Sequence, residues 1–224
     1  MHEINVNANV LAANQALALE NRELFSGRGI YVFNLMSGPG AGKTTLLQRT
    51  IAELKDRFRF AVIEGDVQSD HDARKIAALG VPVVQINTGG ACHLDARQIH
   101  NHLGSFDLDQ VDCLIIENVG NLVCPAEFDL GEHDKVMLLS VTEGHDKPAK
   151  YPVMFHVAKL ILVTKTDLLE HVDFDMEQAN RSIGALNLDA NVVPLSARTG
   201  QAFEKWTAWL ASRIERVNAM RTPS

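Results

Sequence analysis

The 224-residue chain is poor in cysteine, in clustered basic residues and in long apolar runs, and each shortage excludes a class of protein. Three cysteines are too few, and odd in number, for a disulfide framework. A net charge of -7 without a Lys/Arg cluster argues against a nucleic-acid surface. The first twenty residues lack a basic start, and Asn and Gln interrupt their apolar residues. We therefore expect no signal peptide, no membrane span and a cytoplasmic location.

The chain does contain a regular alternation of apolar segments and longer amphipathic segments. Strands are predicted at 30–36, 59–64, 82–87, 112–118, 135–142, 159–165 and 191–196. Helices are predicted over roughly the first 25 residues, at 42–58, at 70–79 with Asp70 as N-cap, near 94–103 and at 201–217. Strands that are continuously apolar indicate a parallel sheet covered on both faces. The predicted fold class is α/β, with a doubly wound, mainly parallel sheet flanked by helices.

A glycine-rich segment, MSGPGAGKTT at 36–45, joins the first predicted strand to the first long helix. It matches the P-loop pattern GxxxxGK[ST], except that Ser37 occupies the first position. Its glycines let backbone N–H groups face phosphates, and the helix N-terminus adds its positive dipole end. Lys43 is predicted to reach the β- and γ-phosphates, and Thr44 to hold Mg²⁺. The nucleotide-binding residues predicted here are Gly38, Gly40, Ala41, Gly42, Lys43, Thr44 and Thr45.

Two later segments indicate that the nucleotide carries guanine. The segment TKTD, 164–167, resembles the N-K-x-D motif of GTPases, with Thr in the place of Asn. The Asp167 carboxylate could accept hydrogen bonds from both N1–H and the N2 amino group of guanine, a pair that adenine lacks. The stem of Lys165 would lie along the base. The segment SARTG, 196–200, resembles the motif whose backbone caps the guanine oxygen, which adds Ser196 and Ala197 to the predicted site.

Acidic residues end two of the predicted strands, at the sheet edge where α/β proteins bind ligands. Asp66 and Glu117 are predicted to hold Mg²⁺ together with Thr44, and to form the catalytic set together with Lys43. Gly120 stands where its backbone N–H could sense the γ-phosphate. The alternative is that both acids are ordinary strand-end carboxylates that cap helices. No catalytic glutamine or arginine finger is evident in the sequence, so slow turnover is expected.

Six strings together resemble one family, the HypB GTPases that assist nickel insertion into [NiFe]-hydrogenase. They are GPGAGKTTLL, EGD, NTGGACHLDA, ENVGNLVCP, TEGHDKPAKYPVMF and TKTDLL, and the resemblance runs from about residue 30 to about residue 200. It implies a P-loop NTPase fold of the SIMIBI type that binds GTP or GDP and hydrolyses GTP slowly. We predict a P-loop GTPase domain at 28–224, preceded by a helical extension at 1–27.

The resemblance also implies a metal site at the interface of a homodimer that forms on GTP binding. Cys92, His93 and Cys124 match that site, with Cys124 in a predicted loop before Pro125. Taken alone, the adjacent Cys92 and His93 favour a buried thiol beside a surface histidine. Three ligands leave the shell of a Ni²⁺ or Zn²⁺ ion incomplete, so a second subunit or water must complete it. The sequence leaves the choice between the two metals open.

The partners implied by the resemblance are a HypA-type maturation protein and the precursor of the hydrogenase large subunit. Neither nucleic acid nor a membrane is an expected partner. Two other functions stay open at this point. One is an accessory GTPase for a different metallocentre, of the urease type. The other is a metal-binding protein whose P-loop is vestigial.

Overall fold

The apolar segments form one seven-stranded sheet in the computed structural model, which describes residues 6–66 and 71–221. The strands are β1 (Tyr31–Ser37), β2 (Phe60–Asp66), β3 (Val83–Asn87), β4 (Cys113–Glu117), β5 (Asp134–Ser140), β6 (Leu160–Thr164) and β7 (Asn191–Pro194). Their order is β3-β2-β4-β1-β5-β6-β7, and every pairing is parallel. Every side chain in β1, β4 and β6 is buried, as a sheet covered on both faces requires. The predicted doubly wound sheet is confirmed.

Helices cover both faces of this sheet. The described residues form α1 (Val6–Gly27), α2 (Lys43–Leu54), α3 (His71–Ala77), α4 (Ala96–His102), α5 (Cys124–Glu127), α6 (Lys147–Lys150), α7 (Pro152–Val157), α8 (Met176–Leu186) and α9 (Phe203–Asn218). Short 3-10 helices lie at Leu103–Ser105, Leu108–Gln110 and Thr166–His171. Within the described ranges, no helix combines the length and the apolar character that crossing a bilayer would require.

Three predictions about local structure differ from the observed elements or fall outside the described residues. The helix predicted at 42–58 ends at Leu54, because the chain turns there and buries Phe58 in the core. Cys124 begins the one-turn helix α5 instead of lying in a loop, because Asn121 Oδ1 accepts from the backbone N–H groups of residues 123 and 124, at 2.7 and 3.2 Å. Asp70, the predicted N-cap, lies outside the described residues.

The core has two main layers because alternate residues of β1 point to opposite faces of the sheet. Tyr31, Phe33 and Leu35 pack with α2 and α9 on one face, where Trp206 donates from Nε1 to Thr50 Oγ1 at 2.8 Å. The other face packs apolar residues of α1 and α4. Each fully buried large apolar side chain contributes about 1.5–3 kcal/mol relative to exposure. These layers hold the carboxyl ends of the strands, and the loops above them, in place.

The first helix is bonded to the rest of the molecule through two asparagines. Asn21 Nδ2 donates to the carbonyls of Ala96 and Leu130 at 3.0 and 3.1 Å. Asn14 accepts from Ala96 N at 2.8 Å and donates to the carbonyl of Asp129 at 2.8 Å. Asn21 is fully buried and Asn14 nearly so, so these bonds replace water that the two amides would otherwise bind. The helix α1 thereby joins α4 to the segment before β5.

Candidate functional site

The P-loop runs from the end of β1 to the start of α2, at the carboxyl edge of the sheet. Gly40 and Gly42 have φ angles of 73° and 100°, a left-handed conformation that glycine adopts without steric cost. A Cβ at Gly38 would collide with the Glu143 carboxylate, so that side chain would have to move to accommodate one. The N–H groups at the start of α2 have no helical acceptor, so this end of the helix can bind an anion.

Lys43 is hydrogen-bonded to Ser37, the residue that departs from the P-loop motif. Its Nζ donates to Ser37 Oγ at 3.2 Å, and the Ser37 hydroxyl donates to the carbonyl of Gly38 at 2.6 Å. Burial lowers the pKa of Lys43, and the nearby carboxylates, Glu117 foremost, oppose that shift. A lysine that is largely desolvated and bonded only to a neutral hydroxyl can readily exchange that partner for a phosphate oxygen.

Thr44 and Glu117, two of the predicted magnesium ligands, meet directly. Thr44 Oγ1 donates to Glu117 Oε1 at 3.4 Å, while Glu117 Oε2 is buried without a hydrogen-bond partner. Burial raises the pKa of Glu117 to about 7, against the attraction of Lys43. Asp66 ends β2, half-buried, and its charge also raises the pKa of Glu117. An unsatisfied carboxylate oxygen beside a hydroxyl and a second carboxylate fits a hard divalent cation.

A third acid at this edge, Glu64, was missed by the sequence analysis. It pairs in register with Glu117 across β2 and β4, and it is 3% exposed with Oε2 unpartnered. Burial, followed by repulsion from Glu117 and Asp66, raises its pKa to about 8. Glu64 could have been found from its position in an apolar strand, two residues before Asp66, where both side chains share a face.

The segments predicted to bind guanine border one cavity beside the P-loop. The cavity has a volume of about 320 Å³ and is lined by Ala41, Gly42, Thr45, Thr164, Lys165, Asp167, Leu168, Ser196, Ala197 and Arg198. The Asp167 Oδ1 atom is buried and has no hydrogen-bond partner. A buried acceptor without a donor is costly, and a planar base with N–H groups would satisfy it.

Thr164 and Lys165 tie this cavity to the P-loop. Thr164, which stands where the GTPase motif has Asn, donates from Oγ1 to the carbonyl of Ala41 at 2.8 Å. Lys165 donates from Nζ to the carbonyl of Gly40 at 2.7 Å, from a left-handed backbone with φ of 60°. The hydroxyl of Ser196 accepts from Thr199 N at 3.1 Å and so holds the last segment in its turn. The substituted threonine therefore still braces the two loops.

Cys92, His93 and Cys124 form one cluster, although 32 residues separate the two cysteines. Their ligand atoms all lie within 4.8 Å of one another. The Cys92 Sγ atom is 2.7 Å from Cys124 Sγ and 3.6 Å from His93 Nδ1. The His93 ring stacks on Phe128 at 3.8 Å between centroids, and burial lowers the pKa of His93. A neutral imidazole and two free thiols are donors that bind Ni²⁺ or Zn²⁺.

The loop before α4 allows two adjacent side chains to converge on one point. Gly89 and Gly90 have φ angles of 62° and 99°, so the chain leaves β3 by a turn that other residues would resist. Asp95 and Gln98 then form a reciprocal capping box that starts α4. The loop is therefore bounded by two well-defined turns, and Cys92 and His93 both face Cys124 at the start of α5.

Comparison with known proteins agrees with this arrangement. The family model for the CobW/HypB/UreG nucleotide-binding domain matches residues 31–194. Hydrogenase maturation factor HypB of Azotobacter vinelandii is 51% identical over 223 residues, which cover 97% of this chain and 74% of that protein. HypB of Archaeoglobus fulgidus has a crystal structure with a TM-score of 0.86 and 40% identity, covering 91% of this chain and 100% of that chain.

HypB of Helicobacter pylori, crystallised in complex with nickel, also has a TM-score of 0.86, with 38% identity over 95% of this chain and 99% of that chain. The resemblance seen in the six sequence strings is thus confirmed over nearly the whole molecule, not only at its motifs. The family model and the identity to these HypB proteins over most of the chain lead to the same assignment. The chain belongs to the HypB family of hydrogenase maturation factors.

Proposed function

We propose that this protein is a GTP-driven switch that carries nickel during the maturation of [NiFe]-hydrogenase. The observation that carries the proposal is the segment 117–124. Glu117 at its start contacts Thr44 of the P-loop, and Cys124 at its end belongs to the thiol–imidazole cluster. A nucleotide-dependent shift of this short segment would move a metal ligand directly. The nickel complex of the Helicobacter pylori relative supports nickel as the cargo, although the donor set would also accept Zn²⁺.

The proposed nucleotide is GTP. The unpartnered Asp167 oxygen supports guanine recognition, since the guanine N1–H and amino group would satisfy it. The phosphates would lie on the backbone N–H groups of residues 38–45, with Lys43 exchanging its bond to Ser37 for one to the β- and γ-phosphates. The backbone of Ser196 and Ala197 would cap the guanine oxygen.

Hydrolysis to GDP and phosphate would proceed by in-line attack of water on the γ-phosphate. Lys43 and the P-loop N–H groups would stabilise the charge that spreads over the phosphate oxygens. Thr44, Asp66 and Glu117 would hold Mg²⁺, which when bound neutralises charge on the phosphates. Without an evident glutamine or arginine finger to assist, we propose a low turnover, so that GTP serves as a timer.

The metal site supports a dimeric form of the switch. Cys92, His93 and Cys124 supply three donors, and a tetrahedral or square-planar shell needs a fourth. We propose that a second copy of the chain, or water, supplies it, and that GTP binding favours the homodimer. The helical extension at 1–27 precedes the GTPase domain at 28–224 in this proposal. Free thiols as ligands require a reducing compartment, and we propose the cytoplasm.

The proposed downstream partners are a HypA-type maturation protein and the precursor of the hydrogenase large subunit. Both proposals rest on the family relationship, since the relatives that match this chain are hydrogenase maturation factors. Co-purification of each candidate partner with the GDP form and with the GTP-analogue form would test them. A switch requires that capture differ between the two forms.

Metal titration in defined nucleotide states tests the proposed function. Ni²⁺ and Zn²⁺ affinities are measured by competition for the nucleotide-free, GDP and GTP-analogue forms, with molar mass measured alongside by light scattering. The proposal expects metal affinity to differ between the GDP and GTP-analogue forms, because the two sites share one segment. Cys124→Ser should weaken metal binding. Cys113→Val, which removes the fully buried thiol of β4, should leave metal binding intact. Equal metal affinities in both nucleotide forms would contradict the switch.

A further inference from the structure

We infer that Asn118 is a positioning residue that couples the nucleotide site to the metal ligands on the loop before α4. This role rests on the proposed function, and Asn118 would act through the hydrogen bonds of its side chain. Asn118 follows Glu117 directly and is 1% exposed. Its Oδ1 accepts from the backbone N–H of Leu94 at 3.1 Å and from that of Val119 at 3.0 Å. Its Nδ2 donates to Asn34 Oδ1 at 3.1 Å.

Leu94 contacts the ends of β2 and β4, the two strands that carry the proposed magnesium ligands Asp66 and Glu117. It lies in the loop before α4 that holds Cys92 and His93, here called the metal-binding loop. It directly follows His93 and is fully buried. Its backbone is bonded to Asn118, one residue after Glu117, at the end of β4. Its side chain packs against Gly65, where an added Cβ would lie 2.7 Å from Leu94 Cγ, and Gly65 directly precedes Asp66. A displacement of either strand end therefore reaches the residue beside His93.

The Nδ2 group of Asn118 is hydrogen-bonded to Asn34 of β1, the central strand of the sheet. Asn34 lies within β1 with no exposed surface, and its Nδ2 donates to Glu132 Oε1 at 3.3 Å. Glu132 is also buried and accepts from Leu130 N at 2.7 Å. Since β1 is paired on both sides, Asn34 is a rigid anchor. Asn118 thus bridges a fixed strand and the metal-binding loop, so a shift of residue 118 must stretch one of its two connections.

Cys124 is connected to the nucleotide site by a separate route. Asn121 caps the turn that begins with Cys124, at 3.2 Å from its backbone N. Gly120 lies against the P-loop, where an added Cβ would be 3.1 Å from Pro39 Cα. Loss of the Asn118 amide would therefore release Cys92 and His93 from the nucleotide site, while Cys124 keeps its own connection. The expected result is a metal site that still binds but no longer responds fully to the nucleotide.

The test measures the ratio of Ni²⁺ dissociation constants in the GDP and GTP-analogue forms. Wild-type protein is expected to show a ratio of at least about fivefold in one direction, the lower range of coupling between linked sites. Asn118→Ala and Asn118→Ser both remove the bond to Leu94, and the ratio should fall to less than about half of the wild-type value, while staying above one because Cys124 keeps its own connection. Circular dichroism and GTP-analogue affinity confirm that each variant is folded, and the smaller change to serine provides a second variant if alanine unfolds the protein.

Asn187→Ala is the matched control. Its amide donates to the carbonyls of Phe155, His156 and Ala158 at 3.1, 2.8 and 2.9 Å, between α7 and α8, which hold none of the proposed ligands. This variant should lose stability but keep the wild-type ratio. A wild-type ratio of one would overturn the proposed function itself. A ratio that stays at the wild-type value in a folded Asn118 variant, or that falls equally in the control, would overturn only the role of Asn118.

Discussion

Replacing Asp167 by asparagine tests guanine recognition most directly, because one buried atom is responsible for the expected effect. Asp167 lines the cavity beside the P-loop, and its Oδ1 atom is buried without a hydrogen-bond partner. With guanine bound, that carboxylate would accept from N1–H and from the N2 amino group. Asparagine has nearly the same shape, but it offers one acceptor and one donor, so its N–H group would face one of the two guanine donors.

The size of the loss follows from the number and type of hydrogen bonds. A hydrogen bond to a charged group is worth about 1.5–3 kcal/mol, and a buried donor left unpaired costs a further 1–3 kcal/mol. Loss of one such bond and burial of one unpaired donor together cost roughly 2.5–6 kcal/mol. Since each 1.4 kcal/mol is a factor of ten, GTP affinity should fall by at least about 60-fold. Xanthine carries an oxygen in place of the amino group, so XTP should bind the variant better than GTP does.

Competition of GTP, XTP and ATP against a fluorescent nucleotide measures this change in base preference. Glu170→Gln is the matched control, since it removes one carboxylate charge from the same 3-10 helix at an exposed position. The control should bind GTP as the wild type does. If Asp167→Asn keeps a GTP affinity within about threefold of wild type, the hydrogen bonds assigned to Asp167 are not made and the assignment of guanine is wrong.

Four other changes test separate parts of the structure. Lys43→Ala should reduce GTP turnover by at least about 100-fold and leave Ni²⁺ binding intact, and retained turnover would show that the P-loop is not the catalytic site. Cys124→Ser should weaken Ni²⁺ binding by at least about tenfold in a competition titration without changing GTP affinity. Glu64 has a pKa of about 8 when folded against 4.5 for an ordinary glutamate, so the folded state binds more protons and stability falls as pH rises between these values. Glu64→Gln should flatten that fall in thermal melts of protein free of nucleotide and metal, and an unchanged pH profile would refute it. Trp206→Phe removes the bond to Thr50 and should lower the free energy of unfolding in urea by about 1–3 kcal/mol.

Strands and the P-loop were predictable because their signals are local. A continuously apolar run of five to seven residues bounded by turn residues is typical of a strand inside a covered sheet. Helix boundaries were less accurate, as at Leu54 and at Cys124, because they depend on turns and caps that tertiary contacts complete. Glu64 was missed for a similar reason. Its pKa depends on the neighbouring strand that places Glu117 beside it, and strand order is not a local property.

The sequence by itself determined the fold class and the P-loop pattern, because both depend on residue type and spacing along the chain. It predicted the guanine motif from a pattern of the same kind, and the three candidate metal ligands from the family resemblance. Only the tertiary structure decided that Cys124 meets Cys92, that Thr164 braces the P-loop and that Asn118 is bonded to Leu94. These contacts join residues that are far apart in the chain, and they exist because the parallel sheet places the carboxyl ends of β1, β3, β4 and β6 at the same edge. The pairing of strands is a global result of packing, so no local pattern could reveal which side chains would meet.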